Sequence, residues 1–113
     1  MTKLSIGGIG SPSVYLSRGS TFKVKIDFQY IGGPQVLTFA LNMRQGAFGT
    51  EYPCGAPTAS VEGCTEWTSL STTLSYNVPS QAKSGLNSIR MHITTQDGIE
   101  EWSGWYDSVI SVT

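Results

Sequence analysis

The segment Thr21 to Tyr30, TFKVKIDFQY, decides the fold. Phe22, Val24, Ile26, Phe28 and Tyr30 share one parity, and Lys23, Lys25, Asp27 and Gln29 share the other. Side chains of an extended chain point alternately to opposite faces, so the pattern predicts a strand with one face in a core and one in water. Gln35 to Met43 repeats it, with Leu37, Phe39, Leu41 and Met43 on one parity and Val36, Thr38 and Ala40 on the other. Being apolar on both faces for part of its length, that strand is expected to be central. Leu70, Thr72, Leu74, Tyr76 and Val78 form a further ladder. Ile89, Met91, Ile93 and Thr95 form another, with Arg90 outward and His92 a solvated surface residue. These ladders in one chain of 113 residues predict an all-β fold, a single antiparallel β-sandwich domain of about seven or eight strands.

Punctuation between the ladders agrees. Lys3 to Ile9 reads as an edge strand bent at Gly7-Gly8, and Val14 to Leu16 as a short piece closed by a turn at Arg18-Gly19. Gly32-Gly33-Pro34 is a turn, Pro79 stops a strand, and Ser80 to Gly85 is one helical turn or a loop crossing between sheets. Asp97-Gly98 marks a hairpin. From Arg44 to Glu66 the periodicity stops, and the stretch reads as one long loop carrying both cysteines.

Cys54 and Cys64 have no histidine near them in sequence, which leaves a zinc site two ligands short. A disulfide closing the long loop is the favoured reading, with free thiols the alternative. The start, MTKLSIGGIG, lacks the basic and apolar regions of an export signal, so the chain is expected either to lack a leader or to have lost one. A leaderless protein with a disulfide suits a virion component released by lysis, and the expected location is virion or extracellular. The net charge of −1 and pI near 5.7 supply no basic field, so no nucleic-acid partner is expected. No apolar run of about 18 residues occurs, and membrane insertion is not expected.

The order of ladders, the Val78-Pro79 stop, the crossover, the Asp97-Gly98 hairpin and the ending WSGWYDSVISV (Trp102 to Val112) resemble an immunoglobulin-like or fibronectin type III-like sandwich. Such domains occur in phage structural proteins and bacterial surface proteins. The resemblance implies architecture and carries over no functional residue. Two family marks are missing: the cysteines do not bracket a core tryptophan, and Leu86-Asn87 stands where a tyrosine corner belongs.

No catalytic residue, cofactor or metal site is expected. The one histidine, His92, lies in mid-strand, and no nucleophile elbow, phosphate loop or H-E-x-x-H motif is present. Asp97, Glu100, Glu101 and Asp107 cluster loosely; Asp97 and Glu100 could serve calcium only without a spaced loop motif. Aromatic side chains are the better lead, and the candidate binding surface is Phe48, Tyr52, Trp67, Trp102 and Trp105. Trp102 shares parity with Tyr106 and Ile110, so Trp105 faces the other way unless a bulge at Ser103-Gly104 breaks the register, and a neighbouring loop could cover it. An exposed tryptophan anchors a protein partner or a sugar ring. The expectation is a non-enzymatic structural protein, a capsid decoration or tail-associated virion component in contact with other subunits or with its own copies. The alternatives are a carbohydrate-binding module contacting glycans through its tryptophans, and an adhesive or spacer domain.

Overall fold

The computed structural model describes residues 2–10, 14–45 and 49–113, apart from the side chains of Val14, Asp107, Ser108 and Val109. Ten strands are present among them: β1 (Lys3–Gly10), β2 (Val14–Leu16), β3 (Thr21–Gly32), β4 (Gln35–Gln45), β5 (Glu51–Gly55), β6 (Thr58–Val61), β7 (Cys64–Asn77), β8 (Gly85–Thr94), β9 (Glu100–Trp102) and β10 (Tyr106–Val112). They form two packed sheets. One is three-stranded in the order β1-β3-β7. The other is seven-stranded, running β2-β10-β8-β4-β5, with β6 also paired to β4 and β9 to β8. All pairings are antiparallel except β2 with β10, which is parallel because the chain crosses to the other sheet and back before returning beside its start.

Strand β3 behaves as its alternation predicts. Phe22, Val24, Ile26, Phe28 and Tyr30 are buried, whereas Lys23, Lys25, Asp27 and Gln29 are exposed. Facing them from the larger sheet are Leu37, Phe39, Leu41 and Met43 of β4 and Ile89, Met91 and Ile93 of β8. Each such side chain contributes about 1.5–3 kcal/mol by leaving water. Phe28 meets Phe39 edge to face at 5.6 Å, and the Tyr76 hydroxyl of β7 donates to the Phe39 carbonyl at 2.9 Å. That hydrogen bond ties one sheet to the other through a buried side chain.

The chain between Arg44 and Glu66 differs from expectation. It is not one loop: β5 and β6 each return along β4, pairing Arg44 with Glu51 and Thr38 with Thr58. Between them the chain kinks at Gly55 (φ +138°), and the Phe39 amide donates to the Pro57 carbonyl at 2.8 Å, keeping β4 satisfied across the break. The expected disulfide is also absent, and both cysteines are free. Cys54 is buried in the core from β5 of the seven-stranded sheet, while Cys64 opens β7 in the other sheet, opposite Gly32, with its thiol directed to the Glu62 carbonyl. The two thiols therefore belong to different layers. Elsewhere the punctuation holds. β1 shifts register between Ile6 and Gly8, Val78 to Ser84 crosses between the sheets, and Gly98 (φ +91°) turns the chain from β8 into β9. In the place of a tyrosine corner, buried Asn87 donates to the carbonyls of Lys83 and Gly85, which fixes the entry into β8.

Candidate functional site

The site lies on the outward face of the seven-stranded sheet. Parity along β4 and β8 sets its floor: Ala40 pairs with His92, Asn42 with Arg90 and Arg44 with Ser88. On one flank β5 adds Glu51 opposite Arg44. On the other flank the β9–β10 edge breaks at 103–105, where the Ser103 amide donates to the Met91 carbonyl and the Ser103 hydroxyl accepts from the Met91 amide. This break is the bulge that the Ser103-Gly104 dipeptide left open. It resets the parity, so Trp102 and Trp105 both reach Arg90 on the outer face while Tyr106 packs on the core and Ile110 is buried within it.

A chain of stacked cations and rings results. The Arg44 guanidinium lies 3.9 Å from the Trp105 ring centre, and that of Arg90 lies 4.9 Å from Trp105 and 4.3 Å from Trp102. His92 stacks on Trp102, with centroids 3.8 Å apart and planes within 7°. Contacts of this kind attract through the ring quadrupole and hold long side chains still. Glu51 fixes Arg90 with a two-pronged pair, accepting at 2.9 Å from Nε and 3.2 Å from Nη2, and also accepts from Asn42. Glu100 Oε1 stands 3.1 Å from His92 Nε2 without the alignment of a hydrogen bond. Among the described residues Arg44 has no carboxylate within ion-pair distance, and its Nε is buried without a hydrogen-bond partner.

The five candidate residues therefore part company. Trp102, at 47 % exposure, and half-buried Trp105 come together. Among the described residues, the guanidinium groups of Arg44 and Arg90 lie over Trp105. Tyr52 pairs with Met43 and turns toward the core side, and Trp67 stands on the opposite sheet. Phe48 lies outside the described residues. His92 is not the solvated side chain expected, because Trp102 lies across it and leaves its side chain 19 % exposed. Arg44 and Glu51 escaped sequence reasoning because both were assigned to the loop. The signal was there: Arg44 continues the parity of Ala40 and Asn42. Asp97 and Glu100 do not converge as ligands, since Asp97 accepts from Thr2 and Thr95 while Glu100 faces His92. No group of three or more His, Cys, Asp or Glu side chains suited to a metal occurs among the described residues.

Among the described residues, six large apolar side chains are exposed, and Tyr15, Val36, Leu86 and Trp102 of these lie on the same face. Tyr15 and Leu86 flank Ser111 in adjacent strands, which prolongs the patch across β2, β10 and β8.

No family model and no curated protein matches the sequence. Among solved structures, a Niemann-Pick type C2 protein from the Japanese carpenter ant superimposes with a TM-score of 0.63 at 10 % identity, over 97 % of this chain and 92 % of that one. That likeness establishes the sandwich fold. A β-glucosidase from Listeria innocua in complex with glucose aligns with a TM-score of 0.48 at 11 % identity, over 98 % of this chain and 16 % of that one, and carries no functional argument.

Proposed function

We propose that the protein is a non-enzymatic binding domain that works by protein–protein contact through the outward face of its seven-stranded sheet, as a structural component of an assembly such as a virus particle. The supporting observation is the Arg44–Trp105–Arg90–Trp102 stack. Tryptophan and arginine dominate the energetics of protein interfaces, and side chains held in place before binding lose little entropy on docking. Tyr15, Val36 and Leu86 widen the patch beyond the stack. Arg44, with no carboxylate at ion-pair distance among the described residues, fits an acidic group on the partner.

Sugar recognition is the second reading, favoured only by the exposure of Trp102. A sugar ring stacks on a free aromatic face, and here Arg44 lies over Trp105 while His92 lies over one face of Trp102. The test compares the wild type with a Trp102→Ala/Trp105→Ala variant for co-sedimentation with purified particles from the source organism. Association of the wild type, abolished in a folded double variant, is expected. A wild type that ignores the particles while its tryptophan fluorescence responds to polysaccharide would transfer the face to glycan binding.

A further inference from the structure

We propose that the free edge of β7 pairs antiparallel with β7 of a second copy, about a two-fold axis at Thr72, joining two three-stranded sheets into one. This surface belongs to the other sheet and is independent of the tryptophan face.

Among the described residues, strand β7 closes one side of its sheet and pairs only with β3. Its ladder with β3 is unbroken from Thr68 to Asn77, so alternate residues point their amides and carbonyls away from β3 along a straight edge. Such edges are ordinarily blunted by charge, proline, bulges or shortness. Other edges here are: β1 carries a lysine and a bulge, β2 and β9 have 3 residues each, β5 contains Pro53, and β6 has 4 residues. From Trp67 to Asn77, β7 has no charge, no proline and no glycine.

The occupant is argued from the sequence of the edge. Ser69-Leu70-Ser71-Thr72-Thr73-Leu74-Ser75 is a near-palindrome about Thr72. Antiparallel pairing on that centre sets Leu70 against Leu74, Ser71 against Thr73 and Ser69 against Ser75, each twice. Inward residues meet inward ones and hydroxyls meet hydroxyls, with no like charges across the axis. Leu70 and Leu74 are only partly buried in the single chain, and a groove of about 380 Å³ opens beside Leu70, its lining including Phe28, Ala59, Val61, Glu62 and Thr72. A second β7 covers those leucines. Nine paired residues, Thr68 to Tyr76, make a contact about 31 Å long and one sheet layer deep, on the order of 600 Å² over both copies. That is below the roughly 1,200–2,000 Å² of standard-size stable interfaces, so the pair is expected to form weakly and reversibly.

The experiment is sedimentation velocity of the full chain from about 1 to 200 μM, with two charge variants at exposed outer positions, Ser71→Lys/Thr73→Lys and Ser71→Glu/Thr73→Glu. The wild type is expected to dimerise with concentration. Each variant alone is expected to dimerise at least tenfold more weakly, with an unchanged melting temperature, and an equimolar mixture of the two is expected to recover the dimer. Amide exchange of the wild type gives an independent reading: protection across residues 68–76 should rise with concentration. A wild type that stays monomeric throughout, or a dimer that neither variant weakens and whose β7 amides gain no protection, overturns the proposal.

Discussion

Replacing Arg90 by methionine tests whether the outward face is held in place before any partner arrives. Methionine keeps an apolar stem and removes the guanidinium. The lost ion pair with Glu51 is two-pronged, with side chains 29 % and 32 % exposed, and contributes about 1 kcal/mol after solvent screening. Contacts over Trp102 and Trp105 add roughly 0.5–1 kcal/mol each. The sum is about 2–3 kcal/mol, or a fall in melting temperature of roughly 8–12 °C for a domain of this size. Double-mutant cycles in urea divide the total. Arg90→Met against Glu51→Gln should give a coupling near 1 kcal/mol that shrinks in high salt, whereas the cycle against Trp102→Leu should be less sensitive to salt. Near-ultraviolet circular dichroism should weaken as the indole rings lose their fixed neighbours. A destabilisation under about 0.5 kcal/mol with no coupling to either partner would refute the reasoning, since the stack would then be a set of loose surface side chains.

Tyr76→Phe should cost about 1–3 kcal/mol in chemical denaturation, because it leaves the buried Phe39 carbonyl without its hydroxyl partner. Under native conditions a thiol reagent should modify Cys64 quickly and Cys54 only on unfolding, since burial pushes the Cys54 thiol up from 9.0 to about 12; mass spectrometry of the labelled protein reads this directly. Burial also raises the Tyr76 phenol above its ordinary 10.0, with a smaller contribution from Cys54. Both groups are neutral when folded, so their contribution is complete below the unfolded values and is lost as pH rises through 9–12, at up to about 1.4 kcal/mol per pH unit for each group. Denaturant midpoints measured across that range should fall accordingly. Asp97 shifts the other way: the Thr2 hydroxyl first, then that of Thr95, holds its carboxyl below 3.8, so its contribution is present above that value and is lost as pH falls below it. An NMR titration should place its midpoint below 3.8 and return it upward in Thr2→Val.

The strands that alternate strictly were legible because one face of each is committed to the core. β3 was right residue for residue, and so were the inward sets of β4 and β8. β5 and β6 were not, because they are short, one contains Pro53 and Pro57 separates them, and they gain their order by pairing along β4 rather than from alternation of their own. The cysteines were misread for the same reason. Once residues 44–66 are divided into strands, Cys54 belongs to one layer and Cys64 to the other.

The sequence by itself determined the two-layer sandwich and its hydrophobic walls, since period-two alternation states which face of a strand leaves water. It also supplied the tryptophans, the arginines and the Ser103-Gly104 break. Tertiary structure alone decided that they form one surface. Trp102 and Trp105 have opposite parity along the chain, and only the Ser103 contacts with Met91 turn both toward Arg90. Arg44 and Glu51 reach the same place from β4 and β5 through cross-strand register, a property of pairing that no single strand encodes.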